Sequence, residues 1–94
     1  MSDILNCLRQ WNLMASHGHD LEAVEVISAF EARQWLQDHW ADLTVLTQET
    51  ITRADALVDD LADGFIVAFL DWASENWPPD HYGRLYVDRH KDDV

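Results

Sequence analysis

The stretch EAVEVISAFEARQWLQDHW, residues 22–40, decides between two fold classes for this chain. At its start, in EAVEVI, glutamates are interleaved with β-branched residues, a pattern typical of a β-strand. From Ser28 the pattern changes, because Ser28 and Glu31 have the spacing of a helical capping box. We therefore predict an extended segment at residues 22–27 and a helix over residues 29–42. One face of that helix would carry Ala29, Ala32, Leu36, Trp40 and Leu43.

The segments on either side of this stretch also favour helices. Ser2 or Asp3 can cap a first helix that continues to about Ala15, with apolar residues at helical spacing. Further along, Thr52 precedes Asp55 by three residues and predicts the N-cap of another helix, which runs through residue 61. Gly64 either ends that helix or lies inside a longer one, and Pro78 and Pro79 stop helical structure.

Two other short segments keep a β element open. LTVLT at residues 43–47 is either a strand or a helix end, and residues 84–87 could form a short strand. We predict a mainly α, compact single domain over residues 1–94, with three or four helices and at most a small β element. The alternative is an α+β fold with two or three short strands at residues 22–27, 43–47 and 84–87.

Length and composition are those of one globular domain. The chain has 94 residues, of which 48% are hydrophobic, so one core can form. Cys7 is the single cysteine and cannot form an internal disulfide. The first residues lack a cationic segment followed by an apolar run, and no apolar run is long enough to cross a membrane. These features favour the cytoplasm.

Charge is the most unusual property of the sequence. Eighteen Asp and Glu residues against six Lys and Arg give a formal net charge of −12. Such a chain repels nucleic acid and anionic lipid and attracts basic protein surfaces from a distance. We therefore expect a basic protein surface as the partner, and no direct binding to nucleic acid or to a membrane.

The segment TRADALVDDLADGF, residues 52–65, concentrates this charge. On a helix, Asp55, Asp59 and Asp63 would form a row of carboxylates about 6 Å apart, flanked by Asp60. That spacing is similar to the separation of successive phosphates, so the row could imitate nucleic acid. The simpler interpretation is a solvated helix face. If the helix continues, Asp71 and Glu75 would extend the surface.

Five tryptophans in 94 residues are the second excess. We predict that three of them wall the core and that one or two lie at its rim as binding anchors, since tryptophan is enriched in interface hot spots. Trp72 and Trp77, next to the acidic segment, are the first candidates.

No motif of an enzyme or a cofactor site is present in the sequence. His17, His19 and Asp20 have a spacing seen in some metal sites, but no patterned further ligands follow, so we expect a polar loop and no metal or cofactor. Cys7 falls on an apolar helix face and is expected to be a small core residue rather than a nucleophile. We predict that the protein is not an enzyme.

These features lead to one functional hypothesis and two alternatives. The hypothesis is an acidic inhibitor that occludes a basic nucleic-acid-binding surface of another protein, as a DNA or RNA mimic. In size and charge the chain is similar to the inhibitors that phages and other mobile elements use against host defence, including anti-CRISPR and anti-restriction proteins, and this similarity is one of composition alone. The alternatives are an immunity protein or antitoxin for a basic nuclease toxin, and a Trp-rich adaptor module that forms a homodimer.

Overall fold

Helices form wherever apolar side chains recur every three or four residues, and they make up all the regular structure of the described residues. The computed structural model describes residues 2–61 and 64–90. Two single turns of 3-10 helix, Gly18–Asp20 and Trp40–Asp42, connect the first three α-helices. The α-helices are α1 (Ser2–His17), α2 (Ala23–Asp38), α3 (Val45–Asp60), α4 (Gly64–Ser74) and α5 (Tyr82–His90).

Helix α2 is the central element of the bundle. It packs against α1, α4 and α5, while α3 packs against α1 and α4 packs against α5. Its buried residues, at helical spacing, are Val26, Ala29, Phe30, Ala32, Arg33 and Leu36. Helix α2 therefore packs closely against three of the other α-helices.

Aromatic side chains fill the centre of the core. Trp11 of α1 and Phe30 of α2 pack edge to face with ring centroids 5.1 Å apart, and Tyr86 of α5 lies 4.8 Å from Phe30. All three residues are fully buried. Aromatic pairs at such distances add to the free energy of area burial by about 1 kcal/mol each. The core therefore joins the N-terminal helix, the central helix and the C-terminal helix directly.

The prediction of a mainly α domain is confirmed, but the extended segment at residues 22–27 is wrong. Helix α2 begins at Ala23, six residues before the predicted start. Val26 is fully buried and continues the face formed by Ala29 and Phe30, so burial in the bundle overrides the β-propensity of the valines. The helix also ends earlier than predicted, at Asp38.

The start of α3 corrects two further predictions. The segment 43–47 is not a strand, because Thr44 is an N-cap whose hydroxyl accepts a hydrogen bond from the Thr47 N–H at 3.2 Å. Thr52 is not an N-cap either. It lies inside α3 and donates its hydroxyl to the Gln48 carbonyl at 2.9 Å. Helix α3 is therefore capped at Thr44 and continues through Thr52, the predicted N-cap.

The predicted strand at residues 84–87 is also wrong. These residues lie in α5, where Gly83, Tyr86 and Val87 form the buried face. Gly64 is the first residue of α4, and residues 62–63 lie outside the described part of the chain. The described residues therefore form five α-helices and no strand, one or two helices more than predicted. None of the helices in this part of the chain combines the length and apolar character needed to cross a bilayer.

Candidate interaction surface

Asp55, the first member of the predicted carboxylate row, faces the interior of the bundle. Its two oxygens accept hydrogen bonds from Arg33 Nε at 2.9 Å and Arg33 Nη2 at 3.0 Å. Its Oδ1 also accepts the Trp11 indole N–H at 2.9 Å. The prediction that Asp55 faces solvent in a row is wrong, because the carboxylate balances the charge of a guanidinium whose side chain is 5% exposed.

The Arg33 guanidinium also contacts two aromatic rings and one side-chain amide. Its Cζ lies 4.3 Å from the ring centroid of Tyr82 and 5.3 Å from that of Trp40, and its Nη1 donates to Gln37 at 3.1 Å. Burial, and then the Asp55 carboxylate, raises the pKa of Tyr82 to about 12, so the phenol stays neutral. The bidentate ion pair between Arg33 and Asp55 links α2 to α3 inside the bundle.

Asp59 is also paired within the chain. Its Oδ1 accepts from Arg89 Nη2 at 2.8 Å and lies 3.1 Å from His90 Nε2. Partial burial by itself lowers the pKa of Arg89, but the hydrogen bond and the charge of Asp59, together with the interactions of Tyr82, outweigh it and raise the pKa of the guanidinium. The two predicted row members that are described therefore bind arginines of their own chain, and the phosphate-like row is absent from the described residues.

The other predicted acidic residues lie at the surface or outside the described residues. Asp60, at the end of α3, is exposed, and so are Asp71 in α4 and Glu75 in the turn that follows it. Asp63 lies outside the described part of the chain. Exposed carboxylates therefore remain on α3 and at the C-terminal end of α4.

Four of the five tryptophans contact the core, one more than predicted, and they include Trp77, a predicted binding anchor. Trp11 is fully buried, and Trp35, Trp40 and Trp77 pack against the core while partly exposed. Trp77 stacks on His81 with ring centroids 4.2 Å apart. Trp72 differs from the others because it is 67% exposed. The exposed Trp72 indole follows the exposed Asp71 and precedes the exposed Glu75 by three residues. This part of the surface therefore has both an apolar ring and two carboxylates.

The acid surplus is displayed over the whole surface rather than in one row. Thirteen of the fifteen carboxylate side chains that the structure describes are exposed, against three exposed arginines. One of those three, Arg89, is bound to Asp59. The surface therefore presents a broad negative field to its surroundings. The exposed carboxylates belong to Asp3, Asp20, Glu22, Glu25, Glu31, Asp38, Asp42, Glu49, Asp60, Asp71, Glu75, Asp80 and Asp88.

His81 caps the C-terminal helix from a buried position. Its Nδ1 lies 3.0 Å from the Gly83 amide nitrogen and accepts that N–H, so the imidazole acts as an N-cap of α5. Burial lowers the pKa of His81, although the carboxylates of Glu31 and Asp38 on α2 and of Asp80 work in the opposite direction. A proton on Nδ1 would remove the acceptor of this hydrogen bond.

We expect acidification to destabilise the protein through His81. Because the pKa of His81 is lower in the folded chain, its contribution is complete above the unfolded value of about 6.5 and is lost as the pH falls from there towards the folded value. The loss should be about 1 kcal/mol, the size of one helix cap. Urea unfolding at several pH values measures it.

The control for this prediction is His81→Asn, which keeps a capping oxygen and does not titrate. Other titrating groups act equally in both proteins, so the difference between their free energies of unfolding isolates His81. Parallel curves for the two proteins between about pH 7 and pH 5 would show that the cap is not pH-dependent.

Neither a metal site nor a reactive thiol stands out among the described residues. No group of three or more His, Cys, Asp and Glu side chains in that part of the chain could hold a metal ion, and His17 and His19 are exposed. Burial, and then the nearby Asp3, raises the pKa of Cys7, which disfavours the thiolate. Cys7 packs against the core, as predicted from its position on α1.

Sequence reasoning missed two features, one inside the bundle and one at the surface. The first is Arg33, which falls on the buried face once α2 starts at Ala23, so a partner for Asp55 could have been expected. The second is a groove between α1 and α2, where Leu13 and Val24 are exposed.

Comparison of the chain with protein-family models, curated proteins and solved structures gives no significant match.

Proposed function

We propose that this protein is an acidic inhibitor that binds and occludes a basic, nucleic-acid-binding surface of another protein, of the anti-defence type exemplified by anti-CRISPR and anti-restriction proteins. The observation that supports the proposal is the exposure of thirteen carboxylates against three arginines on so small a body. A surface with this excess of negative charge has few stable arrangements with an acidic or neutral partner. It favours a partner whose own surface is basic.

The negative electrostatic field of the protein acts first on the rate at which it meets a basic partner surface. A net charge of −12 on a domain with a radius of gyration of 12.5 Å steers a cationic surface over distances of about one Debye length, or about 10 Å at moderate ionic strength. Nucleic acid approaches the same basic surface by the same attraction. The inhibitor therefore competes for that surface without copying the shape of a nucleic acid.

The mechanism differs from phosphate mimicry along α3. Asp55 and Asp59 bind Arg33 and Arg89 of the same chain, so the proposal does not use the α3 row. The contact we propose is the C-terminal end of α4, where Asp71, Trp72 and Glu75 are exposed. There, a guanidinium or ammonium group of the partner would lie over the exposed Trp72 indole while Asp71 and Glu75 neutralise it. The exposed Asp60, at the end of α3, would contribute to the general negative field rather than to this contact.

Competition with labelled DNA or RNA for a guide-RNA effector complex or a restriction enzyme tests this proposal. We expect the protein to displace the nucleic acid, and its affinity to fall steeply between about 50 and 500 mM salt. The combined variant Asp71→Asn, Trp72→Ser and Glu75→Gln should weaken binding at least about tenfold, which corresponds to about 1.4 kcal/mol. Fluorescence anisotropy of the labelled nucleic acid measures both effects.

A matched control removes equal charge and one exposed apolar side chain elsewhere. Asp42→Asn, Leu46→Ser and Glu49→Gln alter exposed residues around the start of α3 and should change the affinity only slightly. Equal losses in the two variants would leave the charge mechanism standing but remove the assigned contact. An affinity that does not depend on salt would contradict the proposal itself.

An immunity protein or antitoxin for a basic nuclease would use the same physics on a different partner. The homodimeric adaptor, which is the second candidate, is favoured by a separate observation. Val45, Leu46 and Leu57 of α3 are all more than half exposed, which leaves apolar area that a second copy could cover. A stable dimer in light scattering, insensitive to salt, would favour the adaptor over the inhibitor.

A further inference from the structure

A groove runs between α1 and the first turns of α2, and its lining includes no residue of α4. It has a volume of about 240 Å³. Leu13, Leu21 and Val24 form its apolar walls, and Gln10, Glu25 and Ser28 complete its lining. Val24 is 65% exposed and Leu13 is 41% exposed, so apolar area on both walls stays in contact with water.

The position of Val24 explains why the groove is open. Val26 and Phe30 point into the core, and on a helix Val24 lies about 160° from Val26, so it cannot share that buried face. Leu13 likewise follows Trp11 by two residues and turns away from the core. The two side chains face each other across the α1–α2 boundary with no element of the described chain on top of them.

The charge around the groove selects its occupant. Glu25 belongs to the lining, and Asp20 and Glu22 are exposed within four residues of Val24. On α1, the exposed Arg9 and His17 lie one turn to either side of Leu13. Three carboxylates against one guanidinium and one imidazole leave the rim negative, within a body whose net charge is −12.

We propose that this groove binds a cationic helical segment of a partner protein, with one branched aliphatic side chain in the groove and flanking Lys or Arg residues against Glu25, Glu22 and Asp20. The proposal rests on the proposed function and names a second contact of the same inhibitor. An apolar anchor in a pocket, surrounded by a charged rim, is the arrangement that concentrates binding free energy in few residues. An acidic or neutral segment would meet repulsion or leave the rim carboxylates unpaired.

Three synthetic helical peptides test the inference on the intact protein. The first contains leucine and lysine, the second has glutamine in place of lysine, and the third has glutamine in place of leucine. We expect the leucine–lysine peptide to bind most tightly and to shift the backbone amide NMR signals of Leu13, Val24 and Ser28. Val24→Ser should weaken it about tenfold, or about 1.4 kcal/mol.

Leu46→Ser is the matched control, because Leu46 is 74% exposed on α3 and removing it also replaces an aliphatic side chain by serine. It should leave the affinity unchanged. Shifts centred on Trp72 instead of Val24, or equal losses in the two variants, would overturn the groove and leave the proposed function intact. If neither lysine-containing peptide bound at low salt, both the groove and the proposed function would fail.

Discussion

Replacing Asp55 with alanine is expected to lower the free energy of unfolding by about 3–5 kcal/mol, because the Arg33 guanidinium would stay buried without its counter-charge. Arg33 and Asp55 share two hydrogen bonds of 2.9 and 3.0 Å, and the side chain of Arg33 is only 5% exposed. The Trp11 indole N–H would also lose its acceptor. Urea unfolding followed by circular dichroism measures the change.

Asp59→Ala is the matched control, since it changes the same residue type one turn later in the same helix. The Arg89 side chain that pairs with Asp59 is 47% exposed, and such exposed pairs contribute about 0–1 kcal/mol. The double variant Arg33→Met and Asp55→Leu should recover part of the loss, because it leaves no stranded charge. Similar losses for Asp55→Ala and Asp59→Ala would show that the buried ion pair stabilises the fold no more than the exposed one.

Gly83→Ala is expected to destabilise the protein by about 1–3 kcal/mol, although alanine normally favours a helix over glycine. A Cβ at position 83 would overlap Trp77 Cζ3 and lie 2.7 Å from Cη2 and 2.8 Å from Cε3. The indole is rigid and stacks on His81, so it cannot yield without breaking that contact. Thermal and urea unfolding both measure the effect.

Two comparisons make this prediction specific. In Gly18→Ala, the new Cβ would meet the Cδ1 end of Leu61 at 2.6 Å, and a flexible side chain can move aside, so we expect little change. In a Trp77→Ala background, Gly83→Ala should become neutral or stabilising, because the ring that it collides with is gone. If Gly83→Ala still destabilised that background, the cause would lie in the backbone rather than in the indole.

The sequence predicted the fold class because most segments have a clear helical period, as in α1 from Ser2. It failed where a segment carries two patterns at once. In residues 22–27 the valines favour a strand locally, and only the burial of Val26 in the core of the bundle decides for a helix. The cap at Thr44 was missed for a similar reason, since LTVLT is rich in β-branched residues and its capping hydrogen bond is invisible in composition.

The surface was harder to predict than the fold. Helical spacing placed Asp55 and Asp59 on one face, but spacing alone does not say whether that face meets water or another helix. The phase of α3 is set by Ile51, Ala54 and Val58, which are buried, and it turns Leu57 outwards and Asp55 inwards. Replacing the whole aspartate row to test binding would therefore disturb folding and binding together.

The hydrogen bond from the Trp11 indole to Asp55 turns one side chain into a reporter of the bundle. The donor comes from α1, the acceptor comes from α3, and the indole has no exposed surface. Its proton can exchange with solvent only when these two helices separate. The deuterium exchange rate at that single nitrogen therefore measures how often the domain opens, and whether a bound partner holds it shut.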